Sequence, residues 1–391
     1  MKTSTDRILT THVGSLPRPL DLFDMLTAQD QGEAYDAAAL EARVAQAVKD
    51  VVAQQVDCGV DVVSDGEMGK IAYTFYVKHR LSGIQAAQPP GATVPKEVAN
   101  LDMLEHPDFA EKVRQARGGW VLQYGRPWVT GPLEYVNREP MERDLRHLGD
   151  AVAAAKPTEA FMNAASPGVL SKFVPDDYYK DEDAYIEAMA EAMKTEYEAI
   201  YEAGYLLQID CPDFGSARHN QYQHLSDDEF LKKAYRNMEA VNAATANIPP
   251  EAMRLHICWG NYEGPHTHDL PLETIFPVLM ASRPAGILFE GANPRHEHEW
   301  EDIKGMDIPD HKVFLPGVID STSNFVEHPK LIAQRICNWA GVVGRERVIA
   351  SSDCGFGTFA RQDPQVSDSV VWSKFKAMAE GAEIATKRLW S

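Results

Sequence analysis

Cysteine is scarce in this chain: five in 391 residues, odd in number and far apart (Cys58, Cys211, Cys258, Cys337 and Cys354). Such spacing makes a poor disulfide framework and fits a reduced, cytoplasmic protein. Long apolar runs are missing too. No stretch approaches the roughly 18 apolar residues of a membrane-spanning helix, and Met1 to Pro19 lacks the apolar core of a signal peptide. Basic residues are outnumbered, 38 Lys plus Arg against 58 acids, for a net charge of −20. That excludes a polyanion partner, which needs a basic footprint. Neither an internal repeat nor a low-complexity tract is visible.

What the chain does have is alternation. Short β-rich runs at 8–13, 61–64, 128–130, 161–164, 206–210, 255–258, 286–290, 313–318 and 348–352 are separated by helical patterns. Over 38–56, Leu40, Val44, Val48, Val51 and Val52 keep helical spacing, with Gly59 placed to end the helix. Over 183–201, Ile186, Met189, Ala190, Met193, Tyr197 and Ile200 do the same. Repeated β-then-α units favour a parallel sheet. Polar residues recur at the strand ends throughout, which favours a closed (β/α)8 TIM barrel over an open sheet with one switch point. Nine candidate strands for eight places put one of them outside the barrel. The polar stretch 82–119, with little periodicity, reads as an insertion. The expectation is one barrel domain over 1–391.

Four residues at or just after strand ends have the right chemistry for one zinc ion: His256, Cys258, Glu290 and Cys354. In a strand, residues two apart share a face, so His256 and Cys258 reach one ion without a bend. Zinc takes thiolate and imidazole ligands, and carboxylates as well. Scatter over about one hundred residues speaks for a catalytic site and against a knuckle-type structural one. Such an ion lowers the pKa of a bound thiol and holds it as the nucleophilic thiolate.

Other strand ends add polar groups. The Gly14-Ser15-Leu16-Pro17 turn offers backbone amides and the Ser15 hydroxyl to a carboxylate. Asp65-Gly66-Glu67 and Asp210-Cys211-Pro212 bring carboxylates suited to a substrate ammonium. Cys211 is a rival zinc ligand, turned away by the strand pleat. His266, His268, His296 and His298 are expected on the solvated surface.

Together these segments resemble the catalytic barrel of cobalamin-independent methionine synthase. Thr10-Thr-His-Val-Gly-Ser-Leu-Pro17, Asp65-Gly-Glu67, Gln208-Ile-Asp-Cys-Pro212, His256-Ile-Cys258, Glu290 and Asp353-Cys-Gly355 run in order over nearly the entire chain. The resemblance implies a TIM barrel related to uroporphyrinogen decarboxylase, with zinc on His256, Cys258, Glu290 and Cys354. It also implies that Ser15, Glu67 and Asp210 hold the amino-acid end of homocysteine. The chain departs from the two-barrel enzymes, which carry an additional N-terminal half. Where they have a proton-donating histidine, Thr322 stands here, and the nearest aromatic to their folate-stacking tryptophan is Phe173. The Asp320…Val326-Glu-His-Pro329 pattern is more similar to the single-barrel branch, which includes epoxyalkane:coenzyme M transferase.

The first expectation is therefore a zinc-dependent methyl transfer to homocysteine, the zinc-held thiolate attacking the donor carbon. The substrates are a small-molecule thiol and a methyl or alkyl donor, and the general acid is His328, Asp320 or Asp353, in that order. The alternative is epoxide opening by a sulfonate thiol, which would draw on Arg18, Lys70 and Arg218. A metal-free decarboxylase-like barrel and a structural-zinc barrel complete the range. A homo-oligomer is compatible with the apolar start of the last helix.

Overall fold

Short apolar runs bounded by turn residues become strands, and eight of them form one parallel ring. The strands are β1 (Leu9–Thr10), β2 (Val62–Val63), β3 (Glu159–Ala165), β4 (Leu206–Asp210), β5 (Met253–His256), β6 (Gly286–Phe289), β7 (Val313–Ile319) and β8 (Ile349–Ser352). From β2 to β8 each strand pairs in parallel with the next, and β8 pairs with β1. Between β1 and β2 the ring is bridged by Asp61 N–H donating to Thr10 O at 3.1 Å and by the Thr11 hydroxyl donating to Val62 O at 2.9 Å. The result is the expected (β/α)8 barrel. This computed structural model describes residues 1–90, 100–116, 126–358, 360 and 364–391.

The ninth candidate strand lies outside the ring. Trp128–Val129 pairs antiparallel with Ile84–Gln85, framing the excursion between β2 and β3. Much of the expected 82–119 insertion is helical: Leu101–Glu105 and Pro107–Ala116. Its positions 91–99 and 117–119 lie outside the described residues.

The long helices pack their apolar faces on the outside of the ring. Ala37–Asp57, capped by the Asp36 carboxylate on the amides of Ala38 and Ala39, buries Leu40, Val44, Val48, Val51 and Val52. The last helix, Asp368–Leu389, buries Val371, Phe375 and Met378 against its own barrel rather than offering them to a partner. No helix among the described residues is long and apolar enough to cross a membrane.

Inside the ring the filling is apolar at the bottom and polar towards the C-terminal end. Leu9, Leu288, Val313, Leu315 and Ile349 form one inner cluster. Above them the fully buried Arg254 donates to Thr11 Oγ1 (3.0 Å) and His12 O (2.6 Å) and stacks 3.9 Å over the Phe161 ring. This plug fixes the floor on which the strand-end residues stand.

Candidate metal centre

β5 ends at His256, and the pleat carries Cys258 to the same side. Cys354 follows the end of β8. The ligand atoms of His256, Cys258 and Cys354 all lie within 4.8 Å of one another, with the two sulfurs 3.6 Å apart. All three residues are buried. His256 is oriented from behind, its Nδ1 3.2 Å from Asp210 Oδ1. On the other side of the ring Nε2 is buried and has no hydrogen-bond partner among the described residues. The neighbouring Cys354 sulfur and burial together push the Cys258 thiol well above its ordinary range. A buried imidazole nitrogen lacking a partner beside two crowded thiols is an S,S,N donor set, which suits zinc or another borderline-soft ion. The residues present fit such an ion.

Glu290 stands next to this trio but outside it. Its Oε1 accepts from Trp259 N (2.8 Å) and its Oε2 from Asn293 Nδ2 (2.7 Å). Burial, and then the nearby Cys258, raise its pKa well above the usual carboxylate range. Three of the four expected ligands are thus together, and the fourth is one hydrogen-bonded carboxylate away.

The other expected contacts divide between the ring's near side and positions turned from it. Ser15 packs against the residue after Cys354: a Cβ on Gly355 would lie 2.0 Å from Ser15 Oγ. Glu67 holds a left-handed backbone at φ 57°, with its carboxylate 3.6 Å from Arg18 Nη2. Burial raises Glu67 to about 7 against the pull of Lys70 and Arg18. Asp210, besides His256, accepts from Asn163 Nδ2 (2.9 Å) and Gln208 Nε2 (2.8 Å). Cys211 points the other way, as the pleat requires, with its sulfur 3.7 Å from Ile209 O.

The three expected proton donors are engaged elsewhere. His328 is exposed and caps the helix Pro329–Val343, its Nδ1 accepting from Lys330 N at 3.1 Å. Asp320 braces its own turn, accepting from Thr322 N and Oγ1 and from Ser323 N. Asp353 accepts from the amides of Gly291, Ala292 and Asn293 at 2.8 to 2.9 Å, which fixes the loop after Glu290. His328 thus sits at an exposed helix start, and the two carboxylates brace loops, with burial raising Asp353 to about 6.

Two groups that the sequence reading missed lie in the electrostatic surroundings of Cys258. Tyr73 has Cys258, Asp210 and Cys354 in its surroundings, and its ring meets Phe173 edge-on at 5.8 Å. Lys172 is half-buried, and its Nζ donates to Ser216 Oγ at 2.9 Å. The Ser216 amide in turn donates to Cys258 O at 3.0 Å. Burial lowers Lys172 to about 8, opposed by Asp213 and Cys258. A lysine in the short run Pro167–Phe173 gave no periodic signal that would have singled it out.

The histidines expected on the surface are partly a correction. His296 is 2% exposed, and His266 is half-buried. With His219 they surround Asp269 at 2.7 to 3.1 Å. His296 also stacks on Trp259 at 4.2 Å. His298 does lie on the outside.

Comparison with known proteins agrees with the motif reading. A family model described as the cobalamin-independent synthase catalytic domain matches residues 8–91. The chain is 22% identical over 383 residues to a methionine synthase of Sulfurisphaera tokodaii, covering 97% of this chain and 93% of that one. It is 23% identical over 378 residues to the protein YxjH of Bacillus subtilis, covering 93% and 91%. Among solved structures, a B12-independent methionine synthase from Shewanella sp. W3-18-1, in complex with selenomethionine, superposes with a TM-score of 0.71 at 19% identity. That superposition covers 98% of this chain and 99% of the other. The resemblance to the cobalamin-independent methionine synthase catalytic barrel holds, in fold and along nearly the full length.

Proposed function

We propose that this chain is a single-domain, zinc-dependent thiol alkyltransferase whose reaction is methyl transfer to homocysteine. The observation that carries the reading is the pair of buried thiols 3.6 Å apart, within 4.8 Å of a ring nitrogen of His256, whose Nε2 has no hydrogen-bond partner among the described residues. His256, Cys258 and Cys354 would hold the ion, with Glu290, whose Oε1 accepts from Trp259 N next to Cys258, as the fourth ligand. Bound there, zinc supplies the Lewis acidity that keeps a substrate thiol deprotonated at neutral pH.

The chain's own residues do the rest. Asp210 orients His256, and its carboxylate sets the tautomer that leaves Nε2 towards the sulfurs. Ser15, beside Gly355, would receive the amino-acid carboxylate. Glu67 would take the ammonium: its Oε2 has no hydrogen bond among the described residues and meets Arg18 Nη2 at 3.6 Å, a long ion pair that the ammonium would share. Asp210 adds its charge to that pocket. Lys172, anchored by Ser216, is the proton source for the leaving group, replacing His328, Asp320 and Asp353 in that role. Rigid placement on strand ends gives the orientation that a transfer between two bound substrates needs.

Epoxide opening by a sulfonate thiol is the weaker reading. Its test cations are already engaged: Arg18 with Glu67 and Gly357 O, Lys70 with Asn163 O, and Arg218 with Asp227 on the outside. The deciding experiment is zinc-edge X-ray absorption on zinc-loaded protein, with and without homocysteine. A rise from two sulfur ligands to three is expected. An unchanged sulfur count rejects homocysteine, and a protein that takes up no zinc rejects the whole mechanism.

A further inference from the structure

The loop that follows Cys258 is gripped by the insertion, and the grip ends on the thiol. Asp102, in the helix Leu101–Glu105, is fully buried although it belongs to a polar excursion. Its Oδ2 accepts from the Tyr262 hydroxyl and from His266 N (2.8 Å), and its Oδ1 from Thr267 N (3.2 Å) and Thr267 Oγ1 (3.1 Å). Asn100 Nδ2 donates to the same Tyr262 oxygen at 3.0 Å. Hydrogen bonds to the charged form outweigh burial and hold the Asp102 carboxyl below its ordinary value.

Tyr262 transmits this hold. Its ring stacks on His266 at 4.3 Å and lies across two glycines. A Cβ on Gly264 would stand 2.1 Å from the ring, and one on Gly260 would stand 2.9 Å from it. Gly260 has φ +134°, a backbone that glycine tolerates and other residues rarely adopt. In that conformation the Gly260 amide donates to Cys258 Sγ at 3.3 Å. The next residue, Asn261, donates to Gly355 O at 2.6 Å, one position after Cys354.

We infer that Asp102 and Tyr262 are positioning residues for the metal centre. By fixing the Tyr262 ring against Gly260, the insertion sets the N–H···S bond on Cys258. That bond withdraws charge from the thiolate and limits its motion, so docking of the insertion tunes how tightly the site holds its ion. The inference rests on the metal reading above and adds a second layer of control to it.

The test is cobalt substitution of the full chain in the wild type, Tyr262→Phe and Asp102→Ala. Tyr262→Phe keeps the ring and removes only the hydroxyl, so it isolates the latch from gross unfolding. The readouts are the sulfur-to-cobalt charge-transfer absorption and the rate at which a chelator strips the metal. Expected are a shifted charge-transfer band and stripping about 10-fold faster in both variants, with Tyr262→Phe retaining the wild-type circular dichroism spectrum. Wild-type bands and stripping rates in Tyr262→Phe would overturn the inference while leaving the metal centre standing. Absence of any sulfur-to-cobalt band in the wild type would instead remove the metal reading on which it rests.

Discussion

Asp210 stands behind His256, with Oδ1 3.2 Å from the ring Nδ1. The carboxylate therefore decides which way the imidazole faces and which nitrogen keeps a lone pair. Carboxylate–histidine pairs of this kind orient a ligand and raise its basicity. Asp210→Ala is expected to weaken zinc binding by about 10- to 100-fold, measured by competition with a chromophoric chelator. Wild-type affinity in that variant would separate His256 from the metal.

Metal removal should lower stability, because an ion that binds only the folded state shifts the equilibrium towards it. At a free zinc concentration about 1,000 times Kd the gain is about 4 kcal/mol. Thermal melts with zinc and with chelator should differ accordingly. Cys258→Ser or Cys354→Ser should abolish most of that difference. A zinc-dependent rise that survives both changes would mean that the ion sits elsewhere.

Glu67 gives a pH signature with a definite sign. Burial raises its folded pKa to about 7, above the ordinary 4.5. Between those values the folded state binds more protons than the unfolded one, so this group's stabilisation is full below about 4.5 and is lost as pH rises through about 7. Over pH 5 to 7 the loss is about 2 kcal/mol by linkage. Urea melts of metal-free protein should show that slope, and Glu67→Gln should flatten it. An unchanged slope in Glu67→Gln would assign it to another group.

Lys172 is predicted to act on the transfer step rather than on thiol binding. Lys172→Met should lower kcat by about 100-fold or more, the usual range for losing a general acid. Homocysteine affinity in the zinc-loaded protein should stay within a small factor of wild type. A change confined to thiol affinity would make Lys172 a binding residue.

Much of the barrel was legible because strand and helix periods are local. The helices over 38–56 and 183–201 came out within a few residues of Ala37–Asp57 and Glu182–Glu202. Trp128–Val129 shows where local signals stop: an apolar pair reads as a strand, but its partner Ile84–Gln85 places it outside the ring. His296 looked solvated because acids flank it, and one of them, Glu299, together with Asp269, is what permits its burial. His328 looked free for proton transfer, yet the Pro329 that follows it marks a helix start and makes it the cap.

The residue types at the strand ends were fixed by the sequence: His256 and Cys258 on one face, Cys354 after β8, and carboxylates at 67, 210 and 290. Spacing of two along a strand dictates a shared face, so that much of the centre needs no tertiary information. The tertiary fold decided which side chains have atoms left to offer. Hydrogen bonds from distant segments commit Asp353 to the loop at 291–293 and Glu290 Oε1 to Trp259, while Glu290 Oε2 is taken by Asn293 three residues on. They leave His256 Nε2 without a partner among the described residues, and they bring Asp102 from the insertion onto Tyr262. Hydrogen-bonding capacity is limited and is assigned only when the chain closes, so a strand-end acid cannot be told from a brace before the barrel has formed.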